Sequence, residues 1–284
     1  MNILSLFDGM SCGQIALNRA GISYDNYFAS EIKRDAIKVT QHNYPNTIQL
    51  GDIRNIKAID LPKIDLLIGG SPCQDFSIAN KTRAGLQGAK SSLFYEYIRI
   101  LNEVKPKYFL LENVSMETAD RNIISNLLGI NPININSQLV SAQLRERLYW
   151  TNIAAENTGF YFYKHCTIEA PKDKGITLQS ILENGYTDRI KARSLLESES
   201  RPLTNKQKLY RRYKSVGMVN IVFDNPDCLY NGNIRILTQN ELERLQTVPS
   251  GYTSILSRNK AAGVLGDGWT VDVISHIFSY LNKE

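Results

Sequence analysis

Six short apolar segments, most followed by a stretch with helical spacing, dominate the first 155 residues. They are Asn2–Leu6, Tyr24–Ser30, Ile64–Gly69, Tyr108–Asn113, Pro132–Asn136 and Arg147–Ile153. Between them, Cys12–Ala20, Lys33–Asn43 and Ser92–Glu103 read as helices. Such alternation predicts a doubly wound α/β fold around a mostly parallel sheet, because a helix must carry the chain back between parallel strands. Residues from about 160 to 234 break the pattern, with more charge, asparagine and tyrosine, and read as a small domain or long insertion. Regular structure resumes at Thr238, which with Glu241 forms a capping-box pattern. Val273, Ile274, Ile277, Phe278 and Leu281 then share one helical face, expected to bury itself on the first domain. The expected division is therefore residues 1–160 plus 235–284, with 161–234 forming the second part.

Composition narrows the class. Of 284 residues, 43% are hydrophobic and 21% charged, as in a folded globular chain. No apolar run reaches membrane-spanning length, and the N-terminus reads as a strand without signal-peptide features, so no membrane partner is expected. Cys12, Cys73, Cys166 and Cys228 form no CxxC pair, and His42, His165 and His276 are far apart. Neither a disulfide framework nor a metal site is expected, and a reducing, cytoplasmic location fits. The net charge is +5, yet Arg189–Lys214 alone holds nine basic and two acidic residues, a local excess of seven. A basic run with Tyr210 and Tyr213 interleaved suits a phosphate backbone, although a solvated basic face carries the same composition.

Chemistry-bearing residues fall at the ends of the predicted strands. Phe7-Asp8-Gly9-Met10-Ser11-Cys12-Gly13 follows the first, where glycines let a ligand approach backbone N–H groups. Glu31 ends the second strand, where an acid can accept from ribose hydroxyls, and Asp52 follows a third apolar stretch, within reach of an adenine amino group. A tight turn with surface acids reads the same way, and the loop lacks the GxGxxG pattern of nicotinamide binding. Gly69-Gly70-Ser71-Pro72-Cys73-Gln74 follows another strand and places a thiol at its carboxyl end. A lone cysteine is commonly an inert core residue. Glu112, in Leu110-Leu111-Glu112-Asn113-Val114, opens onto the same edge. Arg145 and Arg147, in Gln143-Leu144-Arg145-Glu146-Arg147, are two apart and so predicted to share a face; the bland alternative is an ion pair with Glu146.

Taken in order, these segments resemble the DNA cytosine-5 methyltransferases. The matching elements run from Phe7 to Val271: Phe-Asp-Gly-x-x-x-Gly, Glu31, Gly51-Asp52, Gly-Ser-Pro-Cys, Glu-Asn-Val, Gln-x-Arg-x-Arg, Arg235-Ile236-Leu237-Thr238 with Arg244-Leu245-Gln246, and Gly266-Asp267-Gly268-Trp269-Thr270-Val271. The wording is closest to the de novo branch, in Ser5–Gly9, Ile68–Cys73 and Gly268–Val271. Asp267 stands where many relatives carry asparagine, and Arg201-Pro202-Leu203-Thr204 is a second copy of the Arg-x-Leu-Thr wording.

The resemblance implies a Rossmann-like fold using S-adenosyl-L-methionine, leaving S-adenosyl-L-homocysteine, with a small target-recognition domain at 161–234. It implies Cys73 as the nucleophile on cytosine C6, Glu112 as the group that protonates N3, Arg147 on O2, and Arg145 orienting the carboxylate or a phosphate. It assigns the cofactor to Phe7, Asp8, Gly9, Cys12, Gly13, Glu31, Ile32, Asp52, Ile53, Pro72, Leu93 and Trp269. The implied partner is double-stranded DNA with its target base flipped out, bound by a monomer, with a cognate restriction endonuclease as a further partner of many relatives. Ile78, Lys81, Arg83 and Lys90, in a glycine-containing loop after the nucleophile, and Arg189, Lys191, Arg193, Lys208, Arg211 and Arg212, in the basic run, are the expected DNA contacts. An RNA cytosine-5 methyltransferase and a catalytically silent DNA-binding homologue stay open as rivals, the second requiring loss of a cysteine or glutamate that this chain retains.

Overall fold

The computed structural model describes residues 1–72, 92–157, 164–215, 219–226 and 233–283. They divide into two compact units. The first comprises Met1–Ile135, Glu146–Ala170 and Ile274–Glu284; the second, Asn136–Arg145 and Pro171–Val273.

The first unit is built on strands β1 (Asn2–Leu6), β2 (Asn26–Ser30), β3 (Ile48–Gln49), β4 (Leu66–Gly70), β5 (Tyr108–Val114), β6 (Ile133–Asn136) and, further on, β8 (Glu146–Thr151). They form one seven-stranded sheet in the order β3-β2-β1-β4-β5-β8-β6. From β3 through β5 the pairs are parallel, and β8 runs antiparallel to β5. Helices α1 (Cys12–Arg19), α2 (Arg34–Asn43), α3 (Ser92–Val104) and α4 (Thr118–Leu128) make the crossovers. Leu4, Leu6, Leu66, Leu67, Ile68, Leu110 and Leu111 are fully buried. Successive residues of one strand point to opposite faces, so burial of both faces requires the near-continuous apolar runs seen in the sequence. Short β9 (Ala155–Asn157) and β10 (Lys164–Cys166) pair antiparallel beside this sheet's last strands.

Strand order reverses between β1 and β4, and open α/β sheets take their ligands beyond the carboxyl ends of the strands at such a point. Two glycines bring the layers close there. A Cβ on Gly13 would lie 2.5 Å from Ile68 Cδ1 and 2.7 Å from the Tyr27 hydroxyl, so a larger residue there would have to displace these side chains. A Cβ on Gly69 would lie 2.9 Å from the Leu6 carbonyl and 3.0 Å from the Tyr97 ring.

The second unit contains β7 (Gln143–Leu144), α5 (Leu178–Ile181), β11 (Ala192–Arg193), α6 (Lys206–Ser215), β12 (Val222–Phe223), β13 (Ile234–Arg235), α7 (Gln239–Leu245) and α8 (Arg258–Asp267). β7 pairs with β11, and β12 with β13. α6 buries Leu209 and Tyr213 against Ile221, Phe223 and Ile234, a small core of its own.

The compact units divide the chain differently from the expected domains. Residues 235–273 were assigned to the first domain, but they belong to the second unit. Polar side chains hold them there. Gln143 donates to the Leu245 carbonyl at 2.6 Å and to Gln246 Oε1 at 2.9 Å. Gln246 donates to the Leu265 carbonyl at 2.6 Å. Buried Glu241 completes the capping box of α7, accepts from Arg235 at 2.8 Å through both oxygens, and accepts from the Glu183 backbone N–H. Hydrophobic periodicity carries no trace of such contacts. Helix α9 (Val271–Phe278) straddles the division, and its apolar stripe from Ile274 onward joins the first unit as expected, with Asn282 donating to the Ala20 carbonyl.

Candidate active site

The carboxyl ends of the parallel strands deliver one side chain after another to the same edge of the first unit. After β1, the chain enters a turn with three left-handed residues in five, Phe7, Gly9 and Ser11, at φ 57°, 60° and 61°. Left-handed backbone costs a non-glycine residue about 1 kcal/mol or more, so the surroundings must over-determine it. Asp8 does much of this. Its carboxylate accepts from Ser11 Oγ and, at 2.8 Å, from the Tyr27 hydroxyl. Burial raises its pKa to about 6, against the lowering effect of the hydrogen bonds from Ser11, Ser5 and Tyr27. Gln14 extends the network, donating to Ser11 and Thr47 and accepting from Tyr24.

Glu31, after β2, turns back over this loop. One oxygen accepts from the Gly9 N–H at 2.8 Å; the other accepts from the N–H groups of Ile32 and Lys33 at 2.7 and 2.8 Å. Three backbone donors leave part of the carboxylate's acceptor capacity open. Asp52 caps the one-turn helix Ile53–Asn55 through the Arg54 N–H, and its ion pair with the Arg54 guanidinium holds its pKa down at about 2.

Glu112 lies at the end of β5, only 9% exposed, opposite Gly70 of β4 in the sheet register. Arg147 Nε meets its carboxylate at 3.0 Å. Register explains the pairing: the antiparallel β8 starts where β5 ends, with Arg147 opposite Val114. Asn113, on the opposite face of β5, donates to Ser71 Oγ at 3.0 Å and so fixes the start of the turn Ser71-Pro72 that leads to Cys73.

Several expectations end differently. Cys73, Ile78, Lys81, Arg83 and Lys90 lie outside the described residues. Arg145 does not share a strand face with Arg147, because it falls between β7 and β8, which pair in different sheets. It is buried in the second unit and donates to the carbonyls of Leu195, Gly266 and Gly268 at 2.7, 3.3 and 2.9 Å. Its guanidinium thus binds backbone carbonyls where a carboxylate or phosphate was expected. In place of the Arg147–Glu146 ion pair, Arg147 pairs with Glu112 and also donates through Nη1 to the backbone carbonyl of Glu146 at 2.7 Å.

The basic run also divides. Arg189 donates to the Val219 and Tyr213 carbonyls at 2.8 and 3.2 Å and stacks 3.8 Å from the Tyr213 ring centroid. Lys191 donates to the carbonyls of Gln138, Ser141 and Ile176 at 2.6, 2.9 and 2.6 Å. Burial lowers the pKa of both. These two are internal braces, a correction to the expected DNA contacts. Arg193, Lys208, Arg211 and Arg212 are exposed, the last three on α6.

Comparison with known proteins now decides the family. A family model described as C-5 cytosine-specific DNA methylase matches residues 1–208. The chain belongs to the C-5 cytosine-specific DNA methylase family. An orphan methyltransferase, M.SPRI of Bacillus phage SPR, is 34% identical over 162 residues, covering 52% of this chain and 37% of that protein. A type II methyltransferase, M.NgoPII of Neisseria gonorrhoeae, is 36% identical over 197 residues, covering 64% and 56%. Matched segments thus span about half the length of these curated relatives, or less. Among solved structures, Entamoeba histolytica methyltransferase EhMeth aligns with a TM-score of 0.74 at 17% identity, over 100% of this chain and 98% of that one. A Spodoptera frugiperda DNMT2 variant aligns with a TM-score of 0.69 at 20% identity, over 99% of each chain. The Rossmann-like methyltransferase fold is therefore established.

Within this DNA methylase fold, the first unit gathers Phe7, Asp8, Gly9, Cys12, Gly13, Glu31, Ile32, Asp52, Ile53 and Pro72 at or just behind the strand ends, with Glu112 and Arg147 beside them. Leu93 lies in the first turn of α3 of the same unit. Trp269 belongs to the second unit, between α8 and α9. Sequence reading missed Tyr27 and Asn113 as supports of the site. Tyr27 reads as an ordinary strand aromatic, and only the register shows where its hydroxyl ends. Among the described residues, no cluster of His, Cys, Asp and Glu suited to a metal is present, and no helix is long and apolar enough to cross a membrane.

Proposed function

We propose that this chain is a DNA cytosine-5 methyltransferase that uses S-adenosyl-L-methionine and forms a covalent intermediate through Cys73. The observation that carries the reading is the buried Glu112 carboxylate, paired with Arg147 at 3.0 Å and standing opposite Gly70. Cys73 follows Gly70 by three residues, so covalent geometry keeps their Cα atoms within about 11 Å.

The residues present fit the cofactor. The left-handed turn opens space over Gly9, where a Cβ would meet nothing within 4 Å, and the same holds at Gly51. Glu31 is held by three backbone donors with acceptor capacity left for ribose hydroxyls. Phe7, Asp8, Gly9, Cys12 and Gly13 would border the methionine half, and Ile32, Asp52, Ile53 and Leu93 the adenosine. When bound, S-adenosyl-L-methionine supplies an electrophilic methyl group. Pro72 stiffens the backbone that presents the thiol.

Cytosine C5 is too weak a nucleophile to take a methyl group unaided. In the proposed reaction the Cys73 thiolate bonds to C6, and electron density moves onto C5 and the N3 side of the ring. Glu112 protonates N3 as charge develops, and Arg147 holds both O2 and the Glu112 carboxylate in place. Once C5 carries the methyl group, loss of its proton to water and return of the N3 proton to Glu112 let the C6–sulfur bond break, which releases the Cys73 thiolate and restores the ring. Burial among apolar strands keeps water from competing for these groups.

Double-stranded DNA is the proposed substrate, bound through exposed Arg193, Lys208, Arg211 and Arg212. Incubation with labelled cofactor and either duplex DNA or tRNA tests this. Label in duplex DNA, located at cytosine by bisulfite sequencing, is expected. Label in tRNA alone would favour the RNA rival, and no label in either would favour a silent homologue.

A further inference from the structure

Arg99 sits in the middle of α3, and the reaction above gives it no task. Its guanidinium nevertheless bridges two elements. Nη2 donates to the Ile53 carbonyl at 3.1 Å, and Nη1 to the Ile56 carbonyl at 3.2 Å. These residues open and close the one-turn helix that follows Asp52. Two acids of the same face hold the arginine: Glu96 accepts from Nε at 2.8 Å, and Glu103 from Nη1 at 3.0 Å. An isolated turn of three residues cannot sustain itself, and a planar fork clamped from both sides is suited to hold it. The start of the turn is tied separately, by Asp52 accepting from the Arg54 N–H at 3.0 Å.

We propose that Arg99 is a positioning residue for the adenosine half of the cofactor. It locks the Asp52–Ile53 turn to the helix whose first turn holds Leu93, so that both sides of the adenosine site move as one body. This rests on the reading above, in which Asp52, Ile53 and Leu93 take the adenosine.

Calorimetric titration of the full chain with S-adenosyl-L-homocysteine tests it, using wild type, Arg99→Gln, Arg99→Lys and Glu103→Gln. Arg99→Gln is expected to weaken binding about tenfold, the loss of two charge-assisted bonds from a partly exposed site. Arg99→Lys keeps the charge without the fork and should weaken it less. KM for the cofactor should follow these changes, while KM for DNA stays within about twofold of wild type. A wild-type chain that fails to bind S-adenosyl-L-homocysteine overturns the cofactor reading itself. A wild type that binds, with Arg99→Gln within about twofold of it, overturns the positioning role alone, whatever happens to the melting temperature. Should Arg99→Gln fail to fold, Glu103→Gln decides: an affinity about threefold weaker supports the brace, and an unchanged affinity overturns it.

Discussion

The strand ends of the first unit and the basic run of the second were both singled out by charge, yet they behave differently. In the first unit, Glu31, Glu112 and Arg147 each end or begin a strand, and register alone decides where each arrives. In the second, six basic residues were grouped by composition; Arg189 and Lys191 turn inward onto carbonyls, whereas Arg193, Lys208, Arg211 and Arg212 face outward. A strand terminus has one direction to point. A charge in an irregular segment can serve solvent, a ligand or the backbone, and sequence does not separate them.

The comparison can be broken most severely at the thiol. Cys73→Ser is expected to reduce methyl transfer to background while leaving S-adenosyl-L-homocysteine binding near wild type; turnover in that variant would remove the covalent step. Glu112→Gln should slow transfer by about 10²–10⁴-fold at saturating substrates, the usual range for a lost general acid. A rate near wild type would mean that the buried pair with Arg147 is structural only.

Asp8 sharpens the contrast, because it measures the energy stored in the first unit's loop. Its pKa is raised from 3.8 to about 6, so the folded chain holds that proton more tightly than the unfolded one. The stabilisation from this group is complete below pH 3.8 and is lost as the pH rises through about 6. At pH 7 the difference amounts to up to about 3 kcal/mol. Urea titrations of wild type and Asp8→Asn between pH 4 and 7 should show the slope in the first and not in the second. Equal slopes would refute burial of Asp8 as the cause.

Two smaller effects separate the basic residues. Arg189→Ala should destabilise the second unit by about 2 kcal/mol, because two carbonyls lose a charged donor and Tyr213 loses its stacking partner. Arg211→Ala should leave stability unchanged, weaken DNA binding a few-fold, and lower the salt dependence of binding by about one phosphate contact. Both variants behaving alike would dissolve the distinction between inward and outward charge.

Much of the first unit was legible because its signals are local or periodic. Apolar runs marked β1, β4 and β5, the capping box marked α7, and the stripe from Ile274 found its place on the first unit. Arg145 shows where this stops. Period two holds only inside one strand, and the chain changes sheets between Leu144 and Glu146, so the residue between them points elsewhere. The placement of residues 235–273 in the second unit escaped the sequence pattern for a related reason. Gln143, Gln246 and Glu241 bind distant backbone through polar side chains that resemble surface residues on paper.

Order and type of elements and the glycine loop were set by the chain's own pattern, since backbone geometry and apolar burial act over a few residues. Which charges meet, which turn inward, and which segments join the second unit were decided only on folding. Those outcomes depend on hydrogen bonds between residues far apart in the chain, such as Gln143 with the Leu245 carbonyl. No local property of either residue encodes the distance between them.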